Sequence, residues 1–205
     1  MKYLICLLIF LSFINASAQE KFKIKEVEGK DYKSAYYIVN EKGKAVKQLD
    51  TTKYLMCFTQ EKYGYFAIFL IKGNSSWCAI DINEKILFNV YNTSYGEPSP
   101  DEIRENKIRI VDENEKLGFA DYKGNIIIKP QYEAASSFYK DKAIIGEKCS
   151  KIPWGNHEEE AGGCHHYSID CTRAGYINTK GSIIEIGDFT FEEMAKKIKW
   201  KSEYE

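Results

Sequence analysis

The chain has 205 residues, with 29 Lys and Arg against 30 Asp and Glu and a net charge of −1. That balance excludes a dominant polyanion-binding role, because nucleic-acid binders show a clustered basic excess. Fifteen Tyr and eleven Phe against only four Pro favour strands, and the length suits one or two domains with a real core.

Met1–Ala18 carries Lys2, an apolar run from Tyr3 to Ile14, and Ala16-Ser17-Ala18 before Gln19. A short basic start, an apolar stretch and a small-x-small end form the signature of a secretory signal. The expectation is export, periplasmic or secreted, with cleavage after Ala18. The run is shorter than the roughly 20 residues a membrane-spanning helix needs, and no later stretch approaches that length. Cys6 has no lipobox-like context near the cleavage point, so a soluble rather than a lipid-anchored product is expected. Cleavage removes Lys2 and no acid, which takes the formal charge from −1 to −2.

After the signal, Phe22-Lys23-Ile24-Lys25 alternates like a lone strand. Four stretches then line up: Tyr37–Gly43, Cys78–Glu84, Gly118–Gly124 and Gly175–Gly181. Their fourth residues are Asn40, Asp81, Asp121 and Asn178, and an apolar pair follows each: Ala45-Val46, Ile86-Leu87, Ile126-Ile127 and Ile183-Ile184. Asx, two residues, then Gly marks a type I turn, and between alternating apolar residues it predicts a β-hairpin with the Gly in a left-handed bulge. Glu84 stands where the others have Gly, so the second hairpin is expected to be the least regular, a non-glycine there costing roughly 1 kcal/mol.

Each unit continues into a further strand: Tyr65–Leu70, Ile108–Val111 and Ala143–Ile145. Asn106 and Asp141, two positions ahead of Ile108 and Ala143, tolerate positive φ, and Gly64 lies near the first of these strands. The fourth unit stops after its hairpin, at about Ile186, so the lone N-terminal strand could complete it.

The segment Leu117-Gly118-Phe119-Ala120-Asp121, then Gly124, Ile127–Ala134, Phe138 and Ala143, resembles the WG (KWG) repeat, with Leu117 in place of the Trp and Asp141 in place of a usual Gly. Trp77-Cys78 and Ala174-Gly175 match the same dipeptide position with one residue altered in each. The resemblance covers 117–145 closely, 77–88 and 174–184 in part, and 36–46 faintly. It implies a bacterial, often exported, tandem β-repeat protein with no shared catalytic residues and no particular ligand. The expected fold is all-β: tandem antiparallel β-hairpin repeats of about 40 residues over 19–188, by the spacing of the Asx anchors, with a short C-terminal α-helix over 189–202. The alternative is a propeller-like closed array.

The third unit is stretched by an insertion over 149–173 that holds Cys149, Cys164 and Cys171 and all three histidines, His157, His165 and His166. It leaves and re-enters the sheet at neighbouring places, so Cys149 and Cys171 at its neck are expected to form a disulfide in an oxidising compartment. Alternation over 164–171 would put Cys164 and His166 on one face, where a metal set completed by His157 or Cys149 is the rival reading. A nucleophilic Cys164 is weaker, because adjacent strand residues point apart. Glu158-Glu159-Glu160 reads as a solvated loop tip, and Gly162-Gly163 as a flexible joint. Cys57 and Cys78 could pair with each other or with Cys164.

Thr190-x-x-Glu193 is a capping box, and Phe191, Met194, Ala195 and Ile198 share one helical face. Lys196, Lys197, Lys199 and Lys201 suit the C-terminal end of the helix dipole. Tyr36, Tyr37, Tyr63, Tyr65, Tyr91, Tyr95 and Tyr132 either pack or line a peptide or glycan surface. The expected function is an exported, non-catalytic binding module for a protein, peptide or glycan, with no cofactor. The alternative is a metal- or thiol-dependent site within 149–171.

Overall fold

A computed structural model describes residues 20–28, 34–59, 62–74, 76–93, 99–153 and 167–202. The signal segment and Tyr95 lie outside them, as do Cys164 and the three histidines.

Among the described residues the fold is antiparallel β with one short helix, as the hairpin pattern and the C-terminal capping box predict. Strands β1 (Phe22–Glu28), β2 (Ser34–Asn40) and β3 (Ala45–Gln48) make one sheet. Strands β4 (Tyr54–Cys57), β5 (Ala67–Ile71), β6 (Trp77–Ile80) and β7 (Ile86–Val90) make the next meander. A short ribbon, β8 (Asn92–Thr93) with β9 (Ser99–Pro100), leads to β10 (Lys107–Val111), β11 (Leu117–Asp121) and β12 (Ile126–Tyr132). The pairs Ile110–Val90 and Val111–Asn89 join this third unit to the second in one seven-stranded sheet. The last sheet holds β13 (Ala134–Ala135), β14 (Lys142–Pro153), β15 (Tyr167–Asn178) and β16 (Ile183–Gly187), followed by α1 (Phe191–Ile198).

The four Asx turns are built alike. The Oδ1 of Asn40, Asp81, Asp121 and Asn178 accepts the N–H groups two and four residues on at 2.8–3.1 Å. The N–H three residues on donates to the Asx carbonyl at 2.8–3.0 Å. A register shift recurs one residue before each Asx, at Val39, Ile80, Ala120 and Ile177. Glu84 takes the left-handed conformation, φ 64°, yet its turn has the same bonds as the others, so the expected irregularity is absent. Its carboxylate accepts the Tyr54 hydroxyl at 2.8 Å and pairs with Lys47. These contacts offset a backbone cost of about 1 kcal/mol.

Asn106 and Asp141 have positive φ, as expected, and so do Glu105 and Lys140 before them. Two consecutive left-handed residues define a type I′ hairpin turn, closed here by Arg104–Lys107 and Tyr139–Lys142. Gly64 plays a different part, pairing with Phe22 of β1. The N-terminal strand completes the first unit, not the fourth: β1 runs antiparallel to β2 from Phe22–Asn40 to Glu28–Ser34. Each unit is thus one strand followed by an Asx hairpin. Among the described residues the sheets stay open, with no closed propeller-like array.

Interior strands are buried on both faces. Ala67, Phe69 and Ile71 of β5 enter a core with Phe22, Ile24 and Tyr36, while Ile68 enters another with Trp77, Ile108 and Ile110. A third core gathers Leu117, Phe119, Phe138 and Ile145, and a fourth sets Ile144 and Ala174 against Met194 of the helix. Two-sided burial explains the unbroken apolar runs in β5 and β6. The helix covers the outer face of the last sheet, with both halves of its capping box formed and Lys199 left-handed at its C-cap. A polar outer face on a terminal cap is what a stacked array needs for solubility.

Candidate functional site

The two described ends of the insertion, 149–153 and 167–173, continue β14 and β15. Their register runs from Lys142–Asn178 through Cys149–Cys171 to Pro153–Tyr167, so a two-stranded arm projects beyond the stacked sheet. Cys149 and Cys171 face each other in this ladder and are joined by a disulfide, with Cα atoms 4.0 Å apart. Gly146 makes room for it, because a Cβ there would lie 2.5 Å from Cys171 Sγ. With its sulfur in the disulfide, Cys149 is not a thiolate and leaves the metal set in which it was a candidate. The remaining members of that set, Cys164, His157 and His166, fall outside the described residues.

A groove of about 650 Å³ opens beneath the arm. One wall is the turn between β10 and β11, where Asp112 Oδ1 accepts the N–H groups of Asn114 and Lys116 at 2.9 and 2.8 Å and Glu115 has φ 57°. This is a fifth turn of the repeat type, again with Glu at the Gly position. The other wall is the arm itself, with Lys151, Tyr167 and Ile169. Lys151 Nζ reaches across to both Glu115 oxygens at 3.0 and 2.9 Å and sits 4.9 Å from the Tyr167 ring centroid. A second hollow of about 340 Å³ continues past this bridge and shares Glu115, Glu133, Lys151 and Ile169 with the first.

Glu133, just before β13, anchors the base of the arm. Its Oε2 accepts the Cys149 N–H at 2.8 Å and its Oε1 lies 3.5 Å from Lys116 Nζ. The bond from Cys149, helped by Lys116, holds the Glu133 carboxyl below its usual range. A depressed carboxyl contributes stability that is present above its unfolded value and lost as pH falls through the folded one. The arm is therefore expected to loosen as pH falls below the ordinary carboxylate range, read as loss of amide protection at Cys149 while Ile144 and Ile145 stay protected, and Glu133→Gln should abolish that step. The Glu115 carboxylate raises the Lys151 ammonium above its ordinary value.

Tyr91 forms part of the groove floor, and burial pushes its hydroxyl up. It is fixed by main-chain bonds to Arg109 and Asp101 at 3.1 and 2.8 Å, with the Arg109 guanidinium 4.7 Å from its ring centroid. Arg109 grips Asp101 through Nε at 3.1 Å and Nη2 at 2.5 Å, and donates from Nη1 to Ala135 O at 3.1 Å. This fork ties the segment after β9 to the last sheet.

Of the seven tyrosines considered above as surface candidates, Tyr91 reaches the groove. Tyr36 and Tyr132 are core residues, and Tyr65 stacks edge-on with Tyr122. Cys57 and Cys78 oppose the same residue, Phe69, from either side of β5. Two strand spacings, roughly 10 Å, exceed the reach of a disulfide, so these two do not pair. Burial pushes the Cys57 thiol up to about 12 and raises that of Cys78, which leaves both poor nucleophiles at neutral pH. Lys151, Glu115 and Glu133 were not anticipated. The signal for them was the Asp112–Lys116 turn, which repeats the Asx spacing with Glu115 at the Gly position.

Among the described residues no three His, Cys, Asp or Glu side chains converge as metal ligands. The groove offers amides, hydroxyls, carboxylates of which all but Glu113 are compensated, and two tyrosine rings, a surface suited to binding. A family model for the WG-containing repeat matches residues 118–147, which span the third hairpin and the start of β14. A search among curated proteins gave no match.

Proposed function

Because this chain is a WG-repeat protein, we propose that it is an exported, non-catalytic binding module and that the groove beneath the arm is its contact surface. The observation that carries the reading is the arm: among the described residues the fourth unit extends past the stacked sheet, and the cleft beneath it is lined by polar and charged side chains beside Tyr91, Tyr167 and Ile169. Concave sites with a few placed polar groups are the usual binding places on a rigid scaffold. Export is supported by the N-terminal segment and by a disulfide, which persists in oxidising compartments. With Cys149 bonded to Cys171, a metal or thiol chemistry would fall to Cys164 and the histidines, which lie outside the described residues.

The test places a photo-crosslinking amino acid at Asn92 or Ser76 in the groove and, separately, at Lys180 on the fourth hairpin turn, in protein exported by its own signal. Adducts from cell-envelope extract are expected at the two groove positions and not at Lys180, and the mature chain should begin at Gln19. Adducts confined to Lys180, or turnover of an envelope component by the purified protein, would overturn the reading.

A further inference from the structure

All the groove's carboxylates but Glu113 are already matched within the chain. Glu115 is held by Lys151, Glu133 by Lys116 and the Cys149 N–H, and Asp112 Oδ1 by its own turn. A cationic ligand would exchange one ammonium for another at Glu115 and find only the exposed Glu113 carboxylate unpaired, and an anionic one would meet a surplus of carboxylates. The acids do not converge on one point, so the place is not shaped for an ion. A bound carboxylate nonetheless keeps lone pairs to spare, two oxygens offering about four acceptor sites, and hydroxyl groups donate to such oxygens in strong charge-assisted bonds.

The remaining groups are both donors and acceptors. The Asn92 amide and the Glu113 carboxylate, both in the groove, have no partner among the described residues. Tyr91 and Tyr167 add ring surface, and the cleft runs on past the Lys151–Glu115 bridge into the second hollow. Planar amides and carboxylates that can each meet two neighbouring hydroxyls, ring faces for C–H groups, and an elongated open course together match a chain of sugars. We propose that the groove binds a neutral oligosaccharide, with Asn92 and Glu113 bonding its hydroxyls and Tyr91 and Tyr167 packing against its rings. This rests on the groove being the contact surface.

Calorimetric titration of the mature, disulfide-bonded protein with cello-, chito-, xylo- and malto-hexaose tests it. At least one of the four is expected to bind, with an affinity that hardly changes as salt rises, since no ion pair forms with the ligand. Asn92→Ala and Glu113→Ala should each weaken it about tenfold or more, the loss of roughly one charge-assisted or well-placed bond, whereas Lys180→Ala should leave it unchanged. Failure of all four sugars to bind, or binding indifferent to both groove substitutions, overturns the proposal. Salt-sensitive binding of a lysine-rich peptide that Glu113→Ala weakens, with no sugar bound, overturns the glycan while keeping the groove. Cross-links confined to Lys180 remove the groove itself.

Discussion

Arg109→Leu is expected to destabilise the protein by about 3–5 kcal/mol, the usual consequence of removing one partner from a buried ion pair. Asp101 is 3% exposed, and Arg109 supplies both its side-chain bonds and the backbone N–H that reaches Oδ2 at 2.9 Å. With Leu at 109 the carboxylate keeps that single main-chain donor and has no opposing charge. Urea unfolding followed by tryptophan fluorescence measures the loss. Arg109→Lys should fall between wild type and Leu, because an ammonium restores the charge but not the two-pronged geometry. The double change Arg109→Leu with Asp101→Leu should recover part of the stability, since a buried pair replaced by apolar groups is often close to neutral. A cost below about 1 kcal/mol for Arg109→Leu would show that the pair holds nothing together. The effect should also reach the groove, because Tyr91 is positioned by the same two residues.

Replacing both Cys149 and Cys171 by Ser is expected to cost about 3 kcal/mol, the chain-entropy value for a loop of this length. The disulfide closes a sequence separation of 22, and with it gone the pairs from Ser150–Asp170 outward are held by only a short two-stranded ladder, which is marginal alone. The same loss should follow when wild-type protein is unfolded in a dithiol reductant, and reductant should then leave the double Ser variant unmoved. Lys151, Tyr167 and Ile169 all stand beyond the staple, so groove binding should fall further than overall stability. Equal stability of the two forms would mean that the arm holds its place without the covalent link.

Much of the architecture was legible because it depends on local chemistry that repeats. The Asx turns, the left-handed Asn106 and Asp141, and the Thr190 capping box each follow from a few neighbouring residues, and each stands where its signal lies. The Cys149–Cys171 link was legible for a topological reason, since a detour from a sheet must return beside its exit. What stayed hidden depended on register and on contacts between units. Glu84 seemed a fault until its carboxylate met Lys47 from the unit before and Tyr54 of β4. The phase of the repeat was read one strand late, because an isolated strand such as Phe22–Glu28 carries no mark of which hairpin it joins. The groove was invisible because its two walls, Asp112–Lys116 on one side and Lys151, Tyr167 and Ile169 on the other, belong to the third and fourth units and meet only when these pack together.

The sharing of interior strands between consecutive cores has a consequence for how such a chain can grow. A duplicated unit placed between existing ones would find an apolar neighbour waiting on either side, and the helix that roofs the final sheet would need no change. Lengthening by tandem copying is thus physically cheap, whereas loss of the terminal roof would uncover Ile144, Ala174 and their surroundings to water at once. Novelty is safest as an outgrowth of one turn or strand pair that leaves the stacking planes alone, which is where the stapled arm stands.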